Sequence, residues 1–432
     1  MAIAAVPLYV AILLVNGTLH AAARDTRAVQ VASPQSPLIA RGRQIFRYDT
    51  FGDQAFWAGA LQLNRAIAGS KLGGVGPGVS PKTALSVGLK VDATKIPKAV
   101  ATAIRRGKVD LNSPKTTLAL LKLNAVVGVR GFFDKRGHLA SMGITCAVCH
   151  STVDNSFAPG IGRRLDGWPN RDLNVGAIIS LAPNKKPITD VLGVNVATVD
   201  KVLASWGPGK FDAELFMDGK AFQPNGKSAA TLIPAAFGLQ GVNLHTYTGW
   251  GSVPYWNAFV ANLEMHGIGN FTDDRLDNQQ QFPIAARNNF GHVRHKKDLI
   301  TSKLPALHAY QLSLPIPHSR RFNRAAARRG KALFNGQARC ANCHMPPTFT
   351  DSGWNLHPGS AMCIDNFQAD RSPTHRYRTT PLRGLVAKSK GGWYHDGRFP
   401  TLRAVVDHYD QCFSLHLSNG QKSDLVEYLK GR

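Results

Sequence analysis

Apolar and polar positions along the chain fall into three stretches of different character. Residues 1–23 hold no Lys, Arg, Asp or Glu, and Ala2 to Val15 is almost wholly apolar before Ala21-Ala22-Ala23 and Arg24. This predicts a secretory signal peptide, although no basic residue precedes the apolar run. The run falls short of the roughly 17–25 residues of a membrane-crossing helix, and no other long apolar run follows, so no stable membrane insertion is expected. At the other end, Phe322-Asn-Arg-Ala-Ala-Ala-Arg-Arg-Gly330-Lys-Ala-Leu333-Phe334 is rich in helix formers and closes on an apolar pair. Ser418-Asn-Gly-Gln421 is a capping-box pattern opening a helix with Leu425, Val426 and Leu429 on one face.

The long middle is less periodic. Gly/Pro-rich loops such as Gly73-Gly-Val-Gly-Pro-Gly-Val-Ser80-Pro81 and Gly207-Pro208-Gly209 separate short helical stretches around Ile104 and Leu118, and strand signals are sparse. The expected fold class is therefore mainly α with much irregular chain. Arg41-Gly42-Arg43-Gln44-Ile45-Phe46 repeats the Arg-Gly-(Arg/Lys)-x-(Ile/Leu)-Phe pattern of Arg329 to Phe334. That echo suggests an internal duplication.

Chemistry enters with Cys146-Ala-Val-Cys149-His150 and Cys340-Ala-Asn-Cys343-His344. Both spell C-x-x-C-H, the attachment pattern of c-type haem. Two thiols three positions apart on one helical turn reach the two vinyl groups of one porphyrin, and the following His swings beneath the ring to ligate iron. A zinc site would want a second Cys or His pair at short range, and neither zinc nor a redox dithiol accounts for a His after both pairs. Two covalently bound haem c groups are expected, on Cys146, Cys149, Cys340 and Cys343, with His150 and His344 as proximal ligands. The echoed helix lies 6 positions before Cys340 but 100 before Cys146. The expected architecture is thus two c-type cytochrome haem domains, the first enlarged by long loop-rich insertions: 1–23 signal peptide, 24–320 enlarged N-terminal haem domain, 321–432 C-terminal cytochrome c domain. Export fits, since c-type haem is attached outside the cytoplasm, in the periplasm or beyond.

The second axial position of each iron decides between electron transfer and binding of peroxide or oxygen. From Ser151 to Leu244 there is no His and one Met, Met217, which points to an open or weakly ligated first haem; His245 and His266 lie beyond. For the second haem the candidates are His375, His395, His408, Tyr409 and His416.

The C-terminal quarter resembles the bacterial dihaem cytochrome c peroxidase superfamily, including its tryptophan-oxidising relatives. The resemblance is carried by Arg329-Gly-Lys-Ala-Leu-Phe334, Cys340 to His344, Tyr377-Arg-Thr-Thr-Pro-Leu-Arg383-Gly-Leu, Trp393-Tyr-His395-Asp-Gly-Arg398-Phe-Pro-Thr-Leu402 and Val405-Val-Asp-His-Tyr409. It implies a distal ligand of the second haem at Tyr409, with His408 one step away. The proximal histidines stand 344 − 150 = 194 positions apart, a spacing similar to that of the dihaem rubber oxygenases. That likeness implies dioxygen at the first haem, an apolar lining with an aromatic pair near Tyr255-Trp256 and Phe271, and His408 as ligand of the second. Three functions follow as expectations: a peroxidase-type oxidoreductase, an oxygenase acting on an apolar organic substrate, and a plain electron-transfer cytochrome. Glu264 is the candidate distal acid/base for peroxide, and Trp256 and Phe271 would shape the pocket or pass electrons.

Cys363 and Cys412 remain; in an oxidising compartment they either pair, closing a loop of about 50 residues, or stay as buried thiols. Overall, 44% hydrophobic residues with 41 Gly and 25 Pro exclude a disordered or collagen-like chain. Charge changes the picture more: 52 Lys+Arg against 27 Asp+Glu leaves +25. No aromatic-interleaved basic groove accompanies it, which argues against nucleic acid. Haem propionates need basic neighbours, and Arg320, Arg321, Arg324, Arg328 and Arg329 cluster at the start of the second haem domain, suited to steering a small acidic redox protein as electron donor. Turnover with such a donor is expected to slow steeply as salt is added, and a rate independent of ionic strength would rule out electrostatic docking.

Overall fold

The computed structural model describes residues 36–432, which belong to one compact unit; the expected signal peptide lies outside the described residues. Helices dominate, and the strands among the described residues form only two-stranded ribbons. No described helix is long and apolar enough to cross a membrane.

Two helix crossings organise the chain. Helix α1 (Pro37–Tyr48) carries Pro at its start and buries Ile39, Gly42, Ile45 and Phe46, a stripe at helical spacing. It packs against a later helix, Leu304–Ser313. In the C-terminal portion, helix Arg324–Asn335 is capped by the Asn323 side chain and buries Ala326, Ala327, Gly330 and Phe334. It packs against Asn419–Lys430, whose expected capping box between Ser418 and Gln421 is formed in both directions.

The crossings are built alike. A Cβ placed on Gly42 would overlap the carbonyl oxygen of Ala306, and one placed on Gly330 would overlap that of Asp424. Glycine therefore sets how closely each pair of helices approaches. Four residues after Gly42, Phe46 meets Tyr310 edge-on with centroids 5.5 Å apart; four after Gly330, Phe334 meets Tyr428 edge-on at 5.1 Å. Tyr310 and Tyr428 in turn stand four residues beyond Ala306 and Asp424. The sequence echo is thus a repeated three-dimensional device, with the first copy's partner helix displaced far along the chain.

Between the first pair lie the insertions, which build their own apolar core from Trp57, Leu61, Leu121, Leu173, Trp206 and others. The hairpin of β1 (Val129–Phe133) and β2 (Leu139–Ile144) runs straight into Cys146. The motif itself is the short helix α2 (Ala147–His150), followed by β3 (Ser151–Val153), which pairs antiparallel with β4 (Arg164–Asp166). Asp166 ties this segment to the first crossing: it accepts from Ser151 at 2.8 Å, Arg47 at 2.5 Å and the Tyr310 hydroxyl at 2.5 Å. The remaining helices used below are α3 (Val253–Phe259), α4 (Leu304–Ser313), α5 (Arg324–Asn335), α6 (Leu402–Cys412) and α7 (Asn419–Lys430). Cys363 and Cys412 form a disulfide that fastens the 359–363 turn to the end of α6.

Gly42→Val and Gly330→Val are each expected to lower stability by about 1–3 kcal/mol through overpacking, read as a lower urea midpoint. Gly420→Ala, where the added Cβ meets only Ser418 Oγ at 3.9 Å, is expected to be neutral or slightly stabilising.

Candidate active site

Each C-x-x-C-H motif has its histidine oriented in the same way. His150 Nδ1 lies 3.0 Å from the Pro234 carbonyl oxygen, and His344 Nδ1 lies 3.1 Å from that of Phe349. A carbonyl only accepts, so in each ring Nδ1 donates and Nε2 keeps its lone pair, the arrangement of a metal-ligating imidazole braced from behind. Burial lowers both imidazole pKa values to about 4, so both rings are neutral. Cys146, Cys149, Cys340 and Cys343 carry no disulfide, and burial pushes the first three thiols up to about 12 and the fourth upward. These residues suit a covalently attached haem at both motifs.

Cys146, Cys149 and His150 line a cavity of about 320 Å³, within the range of small-molecule sites. Its wall is largely apolar, drawn in good part from Val, Leu and Ile of the inserted core, and its polar groups include Lys90, Glu214, His245, Gln311 and Arg378 beside Glu264. Glu264 follows α3 on a widened helical turn, and its Oε1 is buried without a hydrogen-bond partner. Desolvation, then repulsion from Glu214 and Asp212, holds its carboxyl well above the usual range, which favours its protonated form. Trp256 on α3 also lines the cavity, with Nε1 buried and unpartnered.

The other candidates fall differently. Phe271 does not line the cavity: it packs behind α3 against Tyr255 and Phe259, each with centroids 5.8 Å away. Tyr255 turns away too, its hydroxyl donating to Asp273 at 2.5 Å. The aromatic pair implied by the oxygenase likeness is therefore reduced to Trp256. His266 stacks on Phe56 at 3.6 Å outside the cavity. His245 does reach the wall, but its Nε2 bonds the Val242 carbonyl at 2.9 Å and Arg378 approaches Nδ1 at 3.5 Å. Both ring nitrogens are engaged. Met217 is fully buried elsewhere, whereas Met142 and Met265 line the cavity.

At the second motif, Tyr409 and His408 separate. His408 Nε2 is bound to the Met362 carbonyl at 2.8 Å, beside the Cys363–Cys412 disulfide. Tyr409 lies near Cys340 and Cys343, and burial, with those thiols adding to it, pushes its phenol up to about 12. Tyr394, whose hydroxyl is buried without a partner, packs 6.2 Å from the Tyr409 ring. His375 is exposed and faces Asp370, and His395 stacks on Tyr377 at 5.1 Å. The imidazole is thus engaged away from the second motif, whereas the phenol lies beside it.

Next to the first cavity, sharing Pro234, His245, Tyr247 and Arg378 with it, Arg171, Arg378, Arg383 and Lys388 converge. The Nε atoms of all three arginines are buried without partners. Burial, then the surrounding arginines, lowers Lys388 to about 7. An anionic group is what such a cluster lacks. By contrast, Arg320, Arg321, Arg324 and Arg328 are exposed, and Arg329 forms a two-pronged pair with Asp424 at 2.7 Å. The surface arginines thus stay available to solvent, whereas the buried basic cluster is one that charge clustering in sequence does not reveal. Arg378 and Arg383 did lie within a quoted motif; Glu214, Met265 and Lys388 carried no signal at all.

No family model matches the chain. A stretch of 122 residues is 39% identical to the methylamine utilization protein MauG of Methylorubrum extorquens, covering 24% of this chain and 34% of that protein. The match therefore spans about a third of the relative's length, and it supports the resemblance to the dihaem peroxidase superfamily. Among solved structures, Kuenenia stuttgartiensis hydrazine synthase under xenon pressure aligns with 51% of this chain and 86% of its own at 17% identity and TM-score 0.29. A MauG-like protein associated with microbial copper homeostasis aligns with 50% and 76% at 17% identity and TM-score 0.33. Values this low define no common fold.

Because the Glu264 pKa is raised on folding, the native state loses stability as pH rises from the unfolded carboxyl value toward the folded one. Glu264→Gln lacks that loss. Urea melts are expected to show the variant gaining on the wild type as pH rises above about 4.5, the ordinary Glu value. Parallel profiles would mean the carboxyl is not desolvated.

Proposed function

We propose that the chain is an exported dihaem c-type cytochrome oxidoreductase of the peroxidase type, with peroxide acting at the first haem and electrons arriving through the second. The observation that carries this reading is that Cys146, Cys149, a braced His150 and a desolvated Glu264 all line one largely apolar cavity. When bound, the haem would supply the redox-active iron and two propionates. Cys146 and Cys149 would hold the ring, His150 would approach the iron through Nε2, and Arg171, Arg378, Arg383 and Lys388 would receive the propionates. At the second motif Cys340, Cys343 and His344 would play the matching parts, and Tyr409 is the residue we assign as a further ligand of that haem.

Glu264 supports peroxide in particular. Breaking an O–O bond as two oxygen leaving groups needs a proton moved from the near to the far oxygen, and a neutral carboxyl both accepts and donates one. The apolar wall excludes bulk water and so sharpens the effect of that one group. Trp256, whose Nε1 is buried without a partner, would orient an oxidant or relay an electron. A small acidic protein remains the expected donor, steered by the exposed arginines of α5.

Two other readings each have one observation. The apolar lining favours dioxygen with an organic substrate; Met265 in the wall favours a plain carrier with a ligated iron. Ferric spectra divide them. Intact mass is expected to show two haems, and electron paramagnetic resonance one high-spin and one low-spin centre that differ in response to peroxide. Two low-spin haems, one of them lost in Met265→Ala, would establish the carrier instead. Tyr409→Phe is expected to alter the low-spin signal and His408→Ala to leave it; the reverse result would assign the ligand to His408.

A further inference from the structure

The insertion before the first motif carries a basic surface that neither motif uses. From Ala93 to His138 there are 10 Lys and Arg against 2 Asp and no Glu, so about a tenth of the chain supplies 10 − 2 = +8 of the total +25. All ten basic side chains except that of Arg130 are exposed, and no ion pair to any of them is found among the described residues. The two aspartates are engaged locally. Asp110 accepts from the Asn112 amide, and Asp134 accepts from the Arg136 and His138 amides of its own turn. Asp92, at the edge of the stretch, is 1% exposed and holds Thr94, so it offers nothing to the surface.

Measured contacts join the pieces into one face. Lys95 Nζ and the Arg130 guanidinium each lie 5.5 Å from the centroid of the Tyr48 ring. The helix Lys98–Arg105, which begins three residues after Lys95, therefore lies near strand β1. Arg130 is also 6.0 Å from the Phe132 ring, and Lys122 Nζ is 4.9 Å from that of Phe133, next to the turn that bears Lys135 and Arg136. No residue of the helix is buried: Ala101 and Ile104 rest against the inserted core, while Lys98 and Arg105 point to solvent. Among these charges stand two apolar side chains, Val100 and Phe132, each 37% exposed.

We propose that this face adsorbs to an anionic phospholipid surface. Crowded like charges without counter-ions repel one another, and a negative surface laid against them relieves that repulsion. Headgroup phosphates accept from ammonium and guanidinium groups, and the boundary of the acyl region takes up short apolar side chains such as Val100 and Phe132. The charges are spread over a helix and a hairpin instead of converging on one point, which suits a broad anionic surface better than a single small anion. A basic amphipathic helix beside exposed apolar groups is the usual makeup of a membrane-surface contact. Adsorption is not insertion, since no described helix is long and apolar enough to cross a membrane. The proposal is independent of the peroxidase reading, and it leaves the exposed arginines of α5 to a protein donor.

The test floats the haem-loaded exported protein with vesicles of phosphatidylcholine alone, or of phosphatidylcholine with phosphatidylglycerol as about one-third of the lipid. Binding to the anionic vesicles is expected to exceed binding to the neutral ones and to weaken as salt is added. Each basic residue neutralised on the face should weaken it about fivefold, so the triple variant Lys98→Gln, Arg106→Gln, Lys135→Gln is expected to lose about 100-fold. The matched triple Arg320→Gln, Arg324→Gln, Arg328→Gln should lose far less. Phe132→Ser is expected to weaken vesicle binding severalfold and to keep its salt dependence. Circular dichroism and haem content equal to the wild type's are expected in every variant, because the substituted side chains are exposed, and the three single variants give the same reading in smaller steps. No preference for anionic vesicles, or equal losses in the two triples, would overturn the proposal. Binding of soluble polyglutamate as tight as that of vesicles, and unchanged in Phe132→Ser, would assign the face to an acidic protein and overturn it as well.

Discussion

The close approach of helices at Gly42 and Gly330 is the constraint from which the rest follows. With any larger side chain, α1 and α4, or α5 and α7, would be pushed apart, and the Phe46–Tyr310 and Phe334–Tyr428 contacts would open. The Tyr310 hydroxyl then could not reach Asp166, which also holds Ser151 immediately after the first haem motif. Backbone packing within a few ångströms thus positions His150 through a chain of named contacts. The second crossing similarly places Phe334 6.3 Å from Phe349, whose carbonyl braces His344. One device, used twice, sets both motifs.

Inside this frame the protein tolerates an unusual amount of unbalanced buried charge. Three arginine Nε atoms next to the cavity have no partner, and Glu214 and Glu264 in its wall each have a buried oxygen without one. Such groups cost stability unless something compensates them. Propionates would neutralise the basic groups.

Several residues show why site assignment from sequence has limits. Phe271 and Trp256 looked alike as aromatics near the first haem, yet one packs behind α3 and the other in front. Adjacent His408 and Tyr409 point to different places because α6 turns about 100° per residue, so one reaches the Met362 carbonyl while the other lies near the second pair of thiols. His266 lies only two residues past Glu264 and still leaves the cavity, its backbone entering the left-handed region at φ 57°. In each case spacing narrowed the choice and helix phase made it.

The sequence by itself determined what depends on covalent chemistry and local order: two C-x-x-C-H motifs, the capping box at Ser418, the echo of Arg41–Phe46 in Arg329–Phe334, and a mainly helical chain. These signals are short-range, since bond geometry and helix propensity act over a few residues. Only the tertiary structure decided which distant groups meet: α4 as the partner of α1, the Cys363–Cys412 pairing, the convergence of Arg171 with Arg378, Arg383 and Lys388, and Glu214 in the same cavity wall as Glu264. Desolvation is the physical reason. It comes from everything that packs around a group, whatever its distance in sequence, and it raises two ordinary glutamates above the usual carboxyl range.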